Sequence, residues 1–188
     1  MYLRRQHDPP VVILSDASAD SPATGMLGFL VYDPLRPEGQ RLVVSARKVP
    51  TWFIAWLQRL KLKKTYIGQH EITALLAPYL TLPLWLKGRR VVHFVDNESA
   101  IAASIKGYSG QLDSSRLVGL YQLVRMRLQC NVWLYYVPSE SNISDWPSRG
   151  RLRDVVAIGA RAISMRIPRL SDLMRPWAEV YRDLDMLV

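Results

Sequence analysis

Val11-Val12-Ile13-Leu14-Ser15-Asp16-Ala17-Ser18, VVILSDAS, sets a carboxylate directly after a run of branched apolar residues. Val11–Ser15 reads as a buried β-strand, which places Asp16 where that strand ends, beside the core. Three other acids hold comparable places. Asp96 follows the strand-like Val91–Val95 in VVHFVDNESA, Glu71 opens an apolar helical pattern in GQHEITALL, and Asp145 follows the strand-like Val132–Val137 in PSESNISDWPSR. Carboxylates beside a core are costly unless something pairs with them. A group of them without an obvious basic partner suits hard divalent cations and points to metal-assisted phosphoryl chemistry.

Outward from the first strand, Ser18–Gly25 is small and polar and turns the chain. Met26–Tyr32 and Arg41–Lys48 read as strands joined by the turn Asp33–Gln40, so the first three strands form an antiparallel meander. Pro50–Leu60 reads as a short helix with Trp52, Phe53, Trp56 and Leu57 on one face. A second helix starts near Gly68–Gln69, and Pro78 and Pro83 are expected to kink or break it. Lys87–Arg90 is a basic turn into the fourth strand. Asn97–Ile105 is a helix stopping at Gly107, and Asp113 or Ser114 caps a long helix to about Gln129. Asn131–Val137 is the fifth strand. The expected fold is α/β: a five-stranded mixed sheet, three antiparallel strands then two parallel, flanked by helices.

The 188 residues suffice for one domain with a real core. We divide them into an N-terminal arm, 1–10, a catalytic domain, 11–150, and a basic C-terminal extension, 151–188. That extension carries seven arginines, with a short helix, a strand-like stretch near Ala162–Ile167 and a terminal helix after Pro168, packed on or near the core. No apolar run is long enough to span a membrane, and MYLRRQHDPP has no secretory core. An intracellular location, cytoplasm or nucleus, is expected, with no membrane partner. The lone Cys130 excludes an internal disulfide and reads as a small core residue. A net charge of +9 fits a polyanionic partner, nucleic acid before membrane.

The four acidic strings, in this order and context, resemble ribonuclease H. LSDAS, QHEITALL, FVDNESA and VPSESNISDWPSR carry the resemblance, over roughly residues 10–150. The last two are most similar to the ribonuclease H domains of retroelement reverse transcriptases, through a Val-Pro-x-x-x-Asn-x-x-Asp-x-x-Ser-Arg pattern. The resemblance implies a metal-dependent endoribonuclease acting on the RNA strand of RNA–DNA hybrids. It implies two Mg2+ ions about 4 Å apart, for which Mn2+ can substitute. Asp16 would bridge both, Glu71 and Asp96 would hold the ion near the leaving group, and Asp145 would join Asp16 on the other. A linked or associated reverse transcriptase is the implied partner. The chain departs from the family in its histidines. His7, His70 and His93 are its only ones, and none lies between the fifth strand and Asp145, where many relatives carry one.

Taken singly, each acid has another reading: Asp16 as a turn residue, Glu71 as a helix N-terminal charge, Asp96 as a cap, Asp145 as one polar residue among several caps. Ser18 either touches a phosphate or caps the turn. Asn97 either contacts nucleic acid or caps the next helix, with Ser99 close behind it. Asn142 shapes the loop presenting Asp145, and Trp146 packs beside it. Lys61, Lys63, Lys64, Lys106, Arg116, Arg149 and Arg151 are candidate contacts to the strands. Two competing readings keep the fold: an inactive binding or scaffolding module, and an integrase- or resolvase-like nuclease.

Overall fold

The computed structural model describes residues 8–184; most of the expected arm, His7 and the last four residues lie outside the described residues. Strands β1 (Val11–Ser18), β2 (Met26–Tyr32) and β3 (Leu42–Lys48) form the antiparallel meander, and β4 (Arg90–Val95) and β5 (Asn131–Tyr136) extend the sheet in parallel from β1. A two-residue strand, β6 (Arg161–Ala162), adds to the expected five by pairing in parallel with β3. The sheet order is β5-β4-β1-β2-β3-β6. β1 does not stop before Asp16: it runs on to Ser18, with Asp16 opposite Gly28 of β2.

Helices α1 (Thr51–Leu60), α2 (Ile67–Thr81), α3 (Pro83–Leu86), α4 (Glu98–Lys106) and α5 (Leu112–Leu128) follow the meander. α2 is buried on every side from Gln69 to Leu80, packed between the sheet and α5. Pro78 does not break it. The proline falls in the last turn, costs one hydrogen bond, and the Leu82 amide still reaches the Pro78 carbonyl at 2.9 Å. Pro83 instead opens α3 at a position where its missing N–H costs nothing. Trp52 does not share the buried face of α1; Ile54 takes its place beside Phe53, Trp56 and Leu57, and Trp52 is 36% exposed. Nor does Asp113 cap α5. Gln111 precedes the helix, and Asp113 sits buried inside its first turn, 2.6 Å from Lys63 Nζ.

The chain from Asp145 onward folds back onto the core. α6 (Asp145–Ser148) and α7 (Leu152–Ala157) cover β2 and β3, where Val155 and Ala160 pack with Leu30 and Val44. α8 (Leu170–Met174) and α9 (Trp177–Asp183) lie against α5, so that Leu173, Val180 and Leu184 join the main core. Cys130 is buried, and burial pushes its thiol up to about 12.

Among the described residues, one part of the sheet has no helix over it. By register and alternation, Val12, Leu14, Val92, Phe94, Trp133 and Tyr135 share the face that α6 and α7 cover over β2, β3 and the Asp16 end of β1. The first four are half-buried, while Trp133 is 41% and Tyr135 51% exposed. All-parallel sheets are ordinarily covered on both faces, whereas a mixed sheet such as this one can leave a side to solvent. No described helix is long and apolar enough to cross a membrane.

Candidate active site

β1 and β4 are adjacent parallel strands, so acids at or near their C-terminal ends come out side by side. Asp16 lies within β1, and Asp96 lies one residue past β4. α2 crosses beneath the sheet and brings Glu71 to the same place. One carboxylate oxygen from each of Asp16, Glu71 and Asp96 lies within 4.8 Å of the others. Asp16 is 3% and Glu71 4% exposed. Glu71 Oε2 is buried without a hydrogen-bond partner, although buried polar oxygens nearly always have one.

Like charges at this depth oppose ionisation. Burial above all raises the Asp16 carboxyl to about 7, against the lowering effect of the Ser148 hydroxyl; Asp96 and Asp145 add to the rise and the Ala17 amide opposes it. Burial, then Asp16 and Asp96, hold Glu71 well above the usual carboxylate range. Three acids crowded to this degree, one oxygen orphaned, fit a divalent cation: its charge would relieve both the repulsion and the missing partner.

Asp145 stands outside this trio. It opens the one-turn helix α6, and its Oδ1 accepts from Arg149 Nε at 2.5 Å. The segment before it is fastened to β1. Asn142 Nδ2 donates to the Ser15 carbonyl at 3.3 Å and Asn142 Oδ1 accepts from the Ser144 hydroxyl at 2.5 Å, so Asn142 does shape this loop. Trp146 packs on the Leu30–Val44 cluster, with the Arg151 guanidinium 5.0 Å over its ring. Asp96 accepts from the Ser139 hydroxyl at 2.9 Å.

Of the other expected contacts, Asn97 caps α4, its Oδ1 accepting from the Ala100 amide at 2.9 Å. Ser18 donates its hydroxyl to the Ser148 carbonyl at 2.5 Å. Ser99, Lys61, Lys64 and Lys106 are exposed. Lys63 is committed inward, bonded to Asp113 at 2.6 Å and Gln111 at 2.5 Å. The Arg116 guanidinium stacks 4.9 Å from the Trp177 ring. Lys63 is thus paired with an acid, while Arg116 keeps its charge beside the ring. His70 is fully buried with both ring nitrogens unpartnered, and burial lowers it to about 4. His93 lies between the Tyr79 hydroxyl at 3.0 Å and the Ser15 hydroxyl at 2.8 Å.

Two neighbours of Asp16 escaped the sequence reading. Ser148 donates its hydroxyl to Asp16 Oδ2. Gly28 faces it across the β1–β2 pair, and a Cβ there would come within 2.6 Å of the Ser148 backbone nitrogen. A glycine inside the strand-like MLGFLVY is itself a sign of close backbone approach.

No family model matches this sequence, and no curated protein matches it. Among solved structures the chain is similar to the RNase H1 of the halophilic archaeon Halobacterium salinarum NRC-1, with a TM-score of 0.57 at 12% identity, over 77% of this chain and 98% of that one. It is also similar to LC11-RNase H1, isolated from compost by a metagenomic approach, with a TM-score of 0.54 at 14% identity, over 78% of this chain and 98% of that one. The fold is that of ribonuclease H. Within the ribonuclease H fold, Asp16, Glu71 and Asp96 come from β1, α2 and the end of β4, the order in which the sequence presents them.

Proposed function

We propose that this chain is a metal-dependent endoribonuclease that hydrolyses the RNA strand of RNA–DNA hybrids, leaving 5′-phosphate and 3′-hydroxyl ends. The convergence of Asp16, Glu71 and Asp96 within 4.8 Å carries this reading. Asp16, Glu71 and Asp96 would hold Mg2+, or Mn2+ in its place, with Asp145 as the fourth acid. Divalent ions bound there supply the charge that activates a water and stabilises the leaving 3′ oxygen. The acids orient that charge; none forms a covalent intermediate. Arg149, 64% exposed beside Asp145, is placed to exchange its carboxylate for a phosphate.

Selection of the RNA strand rests on 2′-hydroxyls sensed in a shallow minor groove by the segments 16–21 and 96–99, which include Ser18, Asn97 and Ser99. The exposed Lys61, Lys64 and Lys106 and the net charge of +9 suit the opposite strand. The likeness of VPSESNISDWPSR to retroelement domains supports a linked or associated reverse transcriptase as partner.

The test incubates the protein with labelled hybrid, duplex DNA, duplex RNA and a four-way junction, with Mg2+ or Mn2+. Cleavage of the hybrid's RNA strand alone, abolished by Asp16→Asn and Asp96→Asn, is the expected result. Binding without cutting, or cutting of the junction, would overturn it.

A further inference from the structure

We propose that Ser148 is a positioning residue that aims the Asp16 carboxylate at Glu71 and Asp96, and that Gly28 is the position that lets Ser148 reach it. The inference rests on the reading of Asp16 as a cation ligand.

Ser148 is fully buried. Its hydroxyl has a single proton and two acceptors within reach: Asp16 Oδ2, and the Asp145 carbonyl at 3.0 Å, one turn back in its own helix. A carboxylate is the stronger acceptor, and the contact to Asp16 is the shorter. The bond runs between segments 132 residues apart in sequence, so it is a tertiary bond rather than a local turn. It holds one oxygen of Asp16. The carboxylate then cannot rotate freely about its last bond, and its orientation is set before any ion arrives.

The surrounding bonds make α6 a clamp on β1 rather than a loose neighbour. Asn142 grips the Ser15 carbonyl, one residue before Asp16, and Ser18 grips the Ser148 carbonyl, two residues after it. The clamp closes only because Gly28 has no side chain. A Cβ at Gly28 would lie 2.6 Å from Ser148 N, 3.0 Å from Ser144 O and 3.1 Å from Pro147 Cγ. Two of those three atoms are backbone, so α6 itself would have to lift. Gly28 also sits opposite Asp16 in the β1–β2 register, so the lift falls directly over the carboxylate. Partners that orient a metal ligand typically change ion affinity by about 10- to 100-fold when removed.

The experiment measures Mn2+ affinity by isothermal titration, and the Asp16 carboxyl carbon resonance in metal-free protein, for the full chain and for Ser148→Ala, Ser148→Thr, Gly28→Ala and the Ser148→Ala/Gly28→Ala double variant. Ser148→Ala is expected to weaken Mn2+ about tenfold or more and to move the Asp16 resonance, while the affinity for hybrid in EDTA stays as in the parent chain. Ser148→Thr, which keeps the hydroxyl, is expected to restore most of the affinity. Gly28→Ala should weaken Mn2+ in the same way, and the double variant should be no worse than the weaker single one. A merely structural serine would lower the unfolding midpoint without moving the Asp16 resonance, and that result overturns the proposal. So does an additive double variant. If the parent chain itself binds no Mn2+, the nuclease reading fails; the resonance in Ser148→Ala still decides whether Ser148 holds Asp16. If Ser148→Ala does not fold, Ser148→Thr and Gly28→Ala carry the same decision.

Discussion

Arg149 Nε lies 2.5 Å from Asp145 Oδ1, one turn on from it at the end of α6, so it pairs with the fourth expected acid, the one outside the trio. An ion drawing on Asp145 competes with Arg149. The arginine is 64% exposed, and pairs so exposed are worth at most about 1 kcal/mol. Arg149→Gln should therefore tighten Mn2+ by no more than about fivefold, read by titration calorimetry. The same change should reduce the salt slope of hybrid binding by roughly one phosphate contact. A salt slope that does not change would exclude Arg149 from the strand interface.

The crowded acids set how metal-free stability depends on pH. Between about pH 4.5 and 6.5 the folded chain keeps protons on Asp16 and Glu71 that the unfolded chain has released. Over the same span the unfolded chain protonates His70 and His93, whose folded rings resist it because burial lowers them to about 4 and about 3. These two effects oppose each other, and stability should be nearly flat there. Above about 6.5 the histidines are neutral in both states. Stability should then fall with pH, at up to about 1.4 kcal/mol per pH unit for each proton. The fall lasts as long as Asp16, raised to about 7, and Glu71, raised well above the usual carboxylate range, hold protons that the unfolded chain has lost, and it should level off once both have ionised. Urea unfolding from pH 5 to 9 checks this, and saturating Mg2+ should flatten the decline.

Asp16→Asn removes the charge most penalised by burial. At pH 8 without metal the variant should be more stable than the parent chain, on the order of 2 kcal/mol, while hybrid cleavage is lost. A midpoint unchanged by the substitution would show that Asp16 ionises without penalty.

Lys63 and Asp113 form a nearly buried pair at 16% and 3% exposure. Cutting it from one side leaves a buried carboxylate with no counter-charge, held by the Ser114 amide and hydroxyl, so Lys63→Ala should cost about 3 kcal/mol. Because the lysine points inward, hybrid affinity should not change. Calorimetric unfolding and a binding isotherm together test both halves.

The bare side of β1, β4 and β5 should bind an apolar dye in the native state. Trp133 and Tyr135 are its most exposed aromatics. Trp133→Ser with Tyr135→Ser should remove most native-state dye fluorescence; a signal that persists would locate it elsewhere.

Much of this architecture was legible in the chain. Period-two and apolar runs marked the five main strands, and the order of the four acids marked the trio, because strand ends and helix faces are local patterns. What stayed hidden was set by tertiary context. β1 continues past Asp16 because β2 pairs with it through Met26. α2 continues through Pro78 because surrounding burial outweighs one lost bond. Lys63 stood among the candidate contacts to the strands, and only the fold reveals Asp113 beside it. Ser148 was readable in SDWPSR as a residue but not as a partner, since 132 residues separate it from Asp16.

The solitary thiol has a practical use. With Cys130 shielded and burial raising its thiol to about 12, thiol-selective reagents at neutral pH have no reactive native thiol to attack. A cysteine placed at Ser99 or Lys106, both on the surface, would be the sole handle for a crosslinker or fluorophore. Covalent footprinting of a bound hybrid can thus begin from the natural sequence, with no background mutation to remove.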